Sequence, residues 1–129
     1  MFDYSKAYSG FSVSDIAEAK EFYHGKLGIE FEEQPLVLMV LKLKIDGSNG
    51  IFIYQKENHE PATFTVLNFP VANIEEAVNK LTSKNIAIEH YEGLTGDDGI
   101  ARGIANNRGP DIAWFKDPSG NILSVLQQT

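Results

Sequence analysis

The sequence predicts an α+β fold built from two tandem βαβββ units. Three observations carry this: an internal repeat, a hairpin dipeptide in the first half, and a turn followed by strict alternation that closes the second. "FSVSDIAEA" at residues 11–19 returns as "FPVANIEEA" at 69–77, so that Phe11, Val13, Ile16, Glu18 and Ala19 match Phe69, Val71, Ile74, Glu76 and Ala77. Self-similarity of this kind marks a duplicated structural unit. Asn49-Gly50 is a strong hairpin signal between apolar runs. In "DPSGNILSVLQ" (117–127), Pro118 and Gly120 make a turn, after which Ile122, Ser124 and Leu126 point to one face and Leu123, Val125 and Gln127 to the other.

Each repeat reads as a strand running into a helix. Asp15 and Asn73 are placed to accept from orphan amides as N-caps, with Glu18 and Glu76 three residues later completing a capping box. Ile16, Ala19, Tyr23 and Leu27 form an apolar stripe on the first helix, and Ile74, Ala77, Val78 and Leu81 on the second. Both helices are therefore expected to lie against a sheet. "IEFEE", "LVLMVLKLKI" and "IFIYQ" complete the first unit as three strands. "IAIEHY" (86–91), "IAWFK" (112–116) and the terminal strand complete the second, with a polar, Gly-rich loop from Glu92 to Pro110 that reads either as disorder or an insertion, or as a lid or ligand contact. The first module spans about 5–55 and the second about 63–127, with residues 56–62, "KENHEPA", as the linker of a single domain covering 1–129.

With 129 residues, 43% of them hydrophobic and 22% charged, the chain is long enough for one sizeable core and too apolar to be disordered. The absence of cysteine removes disulfides, thiolate nucleophiles and thiolate metal sites, and suits a reducing compartment. The N-terminus has no signal-peptide pattern, and no apolar run reaches the roughly 18 residues of a membrane span. A cytoplasmic protein without membrane partners is expected. A formal charge of −7 argues against a nucleic-acid partner and makes a neutral or cationic ligand easier to accommodate, although net negative charge also serves solubility. There is no phosphate-binding loop, no Ser-His-Asp pattern and no dinucleotide fingerprint: "GIARGIANNRG" has the wrong spacing and context.

Two βαβββ units, "VSDIAEAKEFYHGKLGIEF" in the first and "WFKDPSGNILSVLQ" closing the second, resemble the vicinal oxygen chelate superfamily, which includes glyoxalase I, extradiol dioxygenases, fosfomycin-modifying enzymes and bleomycin-resistance proteins. The resemblance covers almost the whole chain. It implies a curved mixed sheet around a cleft with the helices outside, and, in the family's enzymes, a divalent metal held by His, Glu or Gln side chains from the strands. Counting back seven residues from Asp15 and Asn73 puts the family's metal positions at Tyr8 and Val66. The terminal motif puts its carboxylate position at Ser124, and the remaining position falls near Phe52 or Tyr54. Such residues do not supply the converging imidazole and carboxylate donors that a divalent site needs, so no metal site and no cofactor are expected.

Alternation then assigns the cleft face to Tyr8, Gly10 and Ser12; Phe52 and Tyr54; Phe64, Val66 and Asn68; and Ile122, Ser124 and Leu126, with Trp114 joining them. Phe11, Val13, Ile51, Ile53, Leu67, Phe69, Leu123 and Val125 face the helices. An aromatic concavity with few polar anchors suits a flat organic ligand, although the same aromatics can pack against the other unit or a second subunit. His59, with Glu60, lies where the linker can rim the cleft; His24 and His90 read as structural, and Asp97 and Asp98 as turn acids. Arg102 and Arg108 are placed either to close over an anionic group or to remain solvated. The expected function is metal-independent binding of a small molecule, similar to bleomycin-resistance and antibiotic-sequestering proteins, with a homodimer implied by that resemblance. A glyoxalase- or dioxygenase-like lyase or isomerase with a non-standard site is the alternative. Ligand contacts are expected from Tyr8, Phe52, Tyr54, Phe64, Val66, Asn68, Trp114, Ser124 and His59, with no catalytic residue assigned.

Overall fold

A computed structural model describes residues 2–35 and 39–129. Residues 36–38, part of the run "LVLMVLKLKI", lie outside the described residues. The chain divides into two units, Met1–Pro61 and Ala62–Thr129, each an α+β module with one four-stranded mixed sheet.

In the first unit, β1 (Ser9–Val13) is followed by helix α1 (Ile16–Lys20), then β2 (Phe31–Pro35), β3 (Met39–Leu43) and β4 (Ile51–Gln55). The sheet order is β1-β4-β3-β2, with β1 parallel to β4 and the other pairs antiparallel. In the second unit, β5 (Thr65–Pro70) precedes α2 (Ile74–Ser83), β6 (Ala101–Arg102), β7 (Asp111–Lys116) and β8 (Ile122–Gln127). Its order, β5-β8-β7-β6 with only the β5–β8 pair parallel, repeats the first topology.

Both helices begin as the repeat requires. Asp15 and Asn73 each accept from the amide of the glutamate three residues on, at 3.0 Å. A second, duplicated contact accompanies the caps: the Ile16 and Ile74 amides donate to the side-chain carbonyls of Gln55 and Gln127, both at 2.9 Å. Two of the amides left orphaned at each helix start are thereby satisfied. α2 ends in a Schellman motif: Ile86 donates to the Leu81 carbonyl and Asn85 to Thr82, with Asn85 in the left-handed region at φ 61°.

α1 is shorter than its apolar stripe suggests, because the chain widens into a π-helical turn over Glu21–Lys26. The Leu27 amide bonds to the Phe22 carbonyl, five residues back. The extra residue shifts the helical phase, so that adjacent Phe22 and Tyr23 are both buried alongside Ala19. Below them lie Val13, Leu41, Leu43 and Ile53, buried on the sheet face that α1 covers. α2 contributes Ile74, Val78 and Leu81 to a core completed by Ala113, Phe115, Leu123 and Val125. The alternation in the sequence assigns these helix-facing positions correctly: Phe11 pairs with Ile53, Leu67 with Leu123 and Phe69 with Val125.

The second unit departs from the expected strand plan at one edge. "IAIEHY" does not form a continuous strand; Ile88 makes a single antiparallel bridge to Phe115, and the Glu89 amide donates to the Trp114 carbonyl at 2.8 Å. The edge continues as β6, where Ala101 and Arg102 pair with Ile112 and Asp111. The edge strand beside β7 is thus made of two pieces, separated by an excursion whose turns need Gly93 and Gly99 at φ 80° and 82°. The segment read as an uninterrupted loop contains this strand and a 3₁₀ turn at Ile104–Asn106.

The Asp-Pro-x-Gly-Asn turn is held by a buried carboxylate. One oxygen of Asp117 accepts from the Ser119 and Asn121 amides and the other from the Asn121 side-chain amide, all at 2.9 Å. Asp117→Ala leaves these donors without their acceptor, and a loss of about 3 kcal/mol in unfolding free energy is expected. Urea denaturation monitored by circular dichroism measures it.

Candidate functional site

The face of the first sheet turned away from α1 is set by the strand register. Gly10 lies opposite Phe52 and Ser12 opposite Tyr54, while Lys42 and Val40 flank the same two aromatics from β3. Tyr8, one residue before β1, packs on Phe52 with ring centroids 4.2 Å apart and remains 62% exposed. Gly10 is required here, since a Cβ at that position would stand 2.9 Å from the Phe52 carbonyl oxygen. Tyr54 is also exposed. A cavity of about 650 Å³ opens beside Tyr8 and Phe52, walled by Lys6, Lys42, Lys44 and the 45–50 connection.

His59 does not stand apart in the linker. A turn, closed by its amide on the Lys56 carbonyl, returns it to β1, where Nδ1 lies 2.7 Å from the Ser12 hydroxyl. The half-buried imidazole is thus held on Ser12, the residue that pairs with Tyr54 across β1 and β4. Glu60, its sequence neighbour, is exposed, as are His24 and His90; His24 Nδ1 is within 3.0 Å of the Ile29 carbonyl oxygen.

In the second unit, Trp114, Ser124 and Asn68 lie side by side across β7, β8 and β5. Ser124 is fully buried and its hydroxyl donates to the Asn68 side-chain carbonyl at 2.6 Å. The indole N–H of Trp114 donates to the Thr65 hydroxyl at 3.1 Å, and Tyr91 packs edge-on against the ring at 5.5 Å. A register shift in β5 between Thr65 and Leu67 puts Thr65 opposite Ile122, so counting in twos through Phe64, Val66 and Asn68 crosses a bulge. Phe64 precedes the strand and is 67% exposed, and Val66 sits half-buried at the irregularity. Thr65 is the side chain that meets Trp114, and nothing in the local pattern "ATFTVLNF" announces the shift.

A second cavity, of about 400 Å³, is bounded by Trp114, Ile112, Leu94 and the segment carrying Arg102, Asn106 and Arg108. That segment is anchored. The Arg102 guanidinium bonds Glu75 at 2.7 Å and Asp98 at 2.8 Å and lies 3.9 Å from Asp111. The Ile100 amide, and then Arg102, hold the Asp98 carboxyl below its ordinary range, while the hydrogen bond to Glu75 chiefly raises the Arg102 guanidinium. Arg102 is therefore committed to the protein's own carboxylates; Arg108 is exposed.

Over residues 7–125 the chain matches the model of the glyoxalase/bleomycin resistance protein/dioxygenase superfamily. The chain belongs to that superfamily. Solved structures agree on the fold. TnmS3, an antibiotic binding protein from a Streptomyces species, is 20% identical with a TM-score of 0.68, over 95% of this chain and 93% of its own. A glyoxalase family protein from Enterococcus faecalis is 24% identical with a TM-score of 0.65, over 93% of each chain. The fosfomycin resistance protein FosX from Listeria monocytogenes is 12% identical with a TM-score of 0.71, over 95% of this chain and 90% of its own. No curated protein matches significantly in sequence.

The superfamily's divalent metal can be tested against these residues. Ser124, at the carboxylate position, is buried and bonded to Asn68; Tyr8 packs at a tilt against Phe52; the Val66 side chain has no donor atom. Among the described residues no group of three His, Cys, Asp or Glu side chains converges to hold an ion. The donor set does not fit the metal. Restoring the carboxylate does not restore a site: Ser124→Glu places a charge in a fully buried position, and an expected cost of about 3 kcal/mol or more accompanies no gain in affinity for manganese, nickel or zinc. Denaturation and calorimetric metal titration read the two effects.

Proposed function

We propose that this superfamily member is a small-molecule binding protein that captures a flat organic ligand on the aromatic side chains of its sheet faces and makes or breaks no bond. The observation that carries the reading is the Trp114 cavity: an indole fixed by Thr65 and Tyr91 bounds, with Ile112 and Leu94, a space whose other wall is the segment carrying Arg102, Asn106 and Arg108. Aromatic faces with a few fixed polar groups are how sites for flat ligands are built. The likeness in fold to an antibiotic binding protein supports the same reading, and an antibiotic is the proposed ligand class. The proposed ligand contacts are Tyr8, Phe52, Tyr54 and His59 on the first unit and Phe64, Val66, Asn68 and Trp114 on the second, with the fully buried Ser124 acting through its bond to Asn68 rather than touching the ligand, and the working form is a cytoplasmic homodimer. Among the described residues no helix is long and apolar enough to cross a membrane.

Trp114 is the sole tryptophan, so it reports on its own cavity. Titration with a panel of planar polycyclic antibiotics is expected to quench its emission at micromolar concentrations, the compound being recovered unchanged by mass spectrometry. Trp114→Ala should weaken binding about tenfold by calorimetry, in line with the loss of a stacking partner. Chemical conversion of the bound compound overturns the reading, as does an unquenched Trp114 throughout the panel. Light scattering at twice the chain mass checks the dimer.

One contact favours a second reading, a lyase or isomerase. The Ser12–His59 pair at 2.7 Å joins a hydroxyl to an imidazole on the face that carries Tyr54, an arrangement suited to moving a proton. In that case turnover of a substrate by the wild-type chain falls at least a hundredfold in His59→Ala, and Ser12→Ala lowers it as well. Activity unaffected by His59→Ala removes this reading.

A further inference from the structure

The cavity beside Tyr8 and Phe52 has a charge that the chain as a whole does not. Lys6, Lys42 and Lys44 line it against a single lining carboxylate, Asp46, in a protein whose formal charge is −7. Lys44 lies 3.7 Å from Glu32, which faces Lys42 across the β2–β3 register. Among the described residues neither Lys6 nor Lys42 has an ion pair closer than this; the Lys42 ammonium lies 5.9 Å from the Phe52 ring centroid.

The backbone that carries these lysines is held in place by the fold. The side-chain amide of Asn49 donates to the Ser5 and Ala7 carbonyls, both at 2.8 Å, and so ties the segment bearing Lys6 and Tyr8 to the β3–β4 connection. Gly50 is buried at φ 92°, and a Cβ there would stand 2.7 Å from Lys42 Cε, so the missing side chain is the channel through which the lysine stem runs. Tyr8 and Phe52 supply an apolar floor, partly open to solvent, with the Lys42 ammonium over the Phe52 ring and Lys6 and Lys44 among the lining residues.

We propose that this cavity takes a flat aromatic anion, its ring on Tyr8 and Phe52 and its carboxylate, sulfonate or phosphate between Lys6 and Lys42. The proposal rests on the reading of the chain as a small-molecule binder and names the ligand class of its first unit. A ring over aromatics and an anion beside two ammonium groups reinforce each other, because the apolar floor lowers the local dielectric in which the charges meet. Net charge opposes such a ligand only at long range, where salt screens it within about 8 Å at physiological ionic strength.

The test follows amide shifts of Gly47, Ser48 and Gly50 in the full chain by nitrogen-15 NMR. The probes are 2-naphthoate, 2-naphthyl phosphate, 2-naphthylmethanol and 2-naphthylmethylammonium. The expected result is that the two anions bind at least tenfold more tightly than the ammonium and that 0.5 M salt erases most of the difference. Lys42→Gln and Lys6→Gln should each weaken the anions about fivefold and leave the alcohol unchanged; the exposed Lys6 keeps the test decisive if Lys42→Gln fails to fold. Phosphate tighter than carboxylate supports a dianionic ligand, and equal affinity supports a singly charged one. Four probes binding alike, or both lysine variants binding the anions as the parent does, overturns the charge assignment while the binding function stands. So does a chain that takes antibiotics at Trp114 but moves none of these amides. If no probe and no antibiotic binds anywhere, the proposed function fails together with it.

Discussion

The contact on which each module depends joins the last residue of its fourth strand to the first amide of its helix. Gln55 and Gln127 accept from Ile16 and Ile74, beside the caps made by Asp15 and Asn73. The geometry follows from the parallel pair. Because β4 runs alongside β1 in the same direction, its end arrives where β1 gives way to the helix, and a glutamine there is long enough to reach an orphan amide. The bond ties sheet to helix and penalises a slip of register, since moving the strand by one residue turns the glutamine to the other face. With the register fixed, Ser12 must face Tyr54, and Asn68 must face Ser124.

Most of this architecture was legible because it is local or periodic. Caps, apolar stripes, the alternation of β8 and the repeat at residues 11–19 and 69–77 all lie within short windows. The glutamine contact was not: the repeats start 58 residues apart, whereas Gln55 and Gln127 are separated by 72, because the second module carries the longer excursion before β7. An alignment fixed on the helices never brings the two glutamines together. The split edge of the second sheet escaped for a related reason, since pairing of Ile88 and Ala101 with one strand is a long-range event that the apolar run "IAIEHY" does not encode.

The candidate site was legible where strands are regular and hidden where they are not. Phe52, Tyr54, Ser12, Trp114, Asn68 and Ser124 occupy the faces that alternation gives them, whereas the bulge in β5 brings in Thr65. Charge was the larger omission. A total of −7 suggested a neutral or cationic ligand, yet Lys6 joins the neighbouring Lys42 and Lys44 when the β3–β4 connection folds against the N-terminal segment, a contact that composition does not reveal. Composition sums over a surface, while a ligand responds to the few charges within a Debye length.

Ser124 shows how this chain keeps the superfamily's fold with a neutral side chain at the position where the resemblance places a carboxylate. A carboxylate at a fully buried point is tolerable when an ion and other ligands neutralise it, and costly when they are missing. A serine is small enough for that space and needs only one partner, which Asn68 supplies from the strand opposite. Tyr8, at a position the resemblance assigns to a metal ligand, packs its ring against Phe52, one of the two residues near which another such position falls. The substitutions are therefore mutually consistent: each replaces a group that needs a cation with one satisfied by a neighbouring side chain. What remains on the sheet faces is aromatic surface with fixed hydrogen-bonding groups, and the proposed binding function rests on that surface.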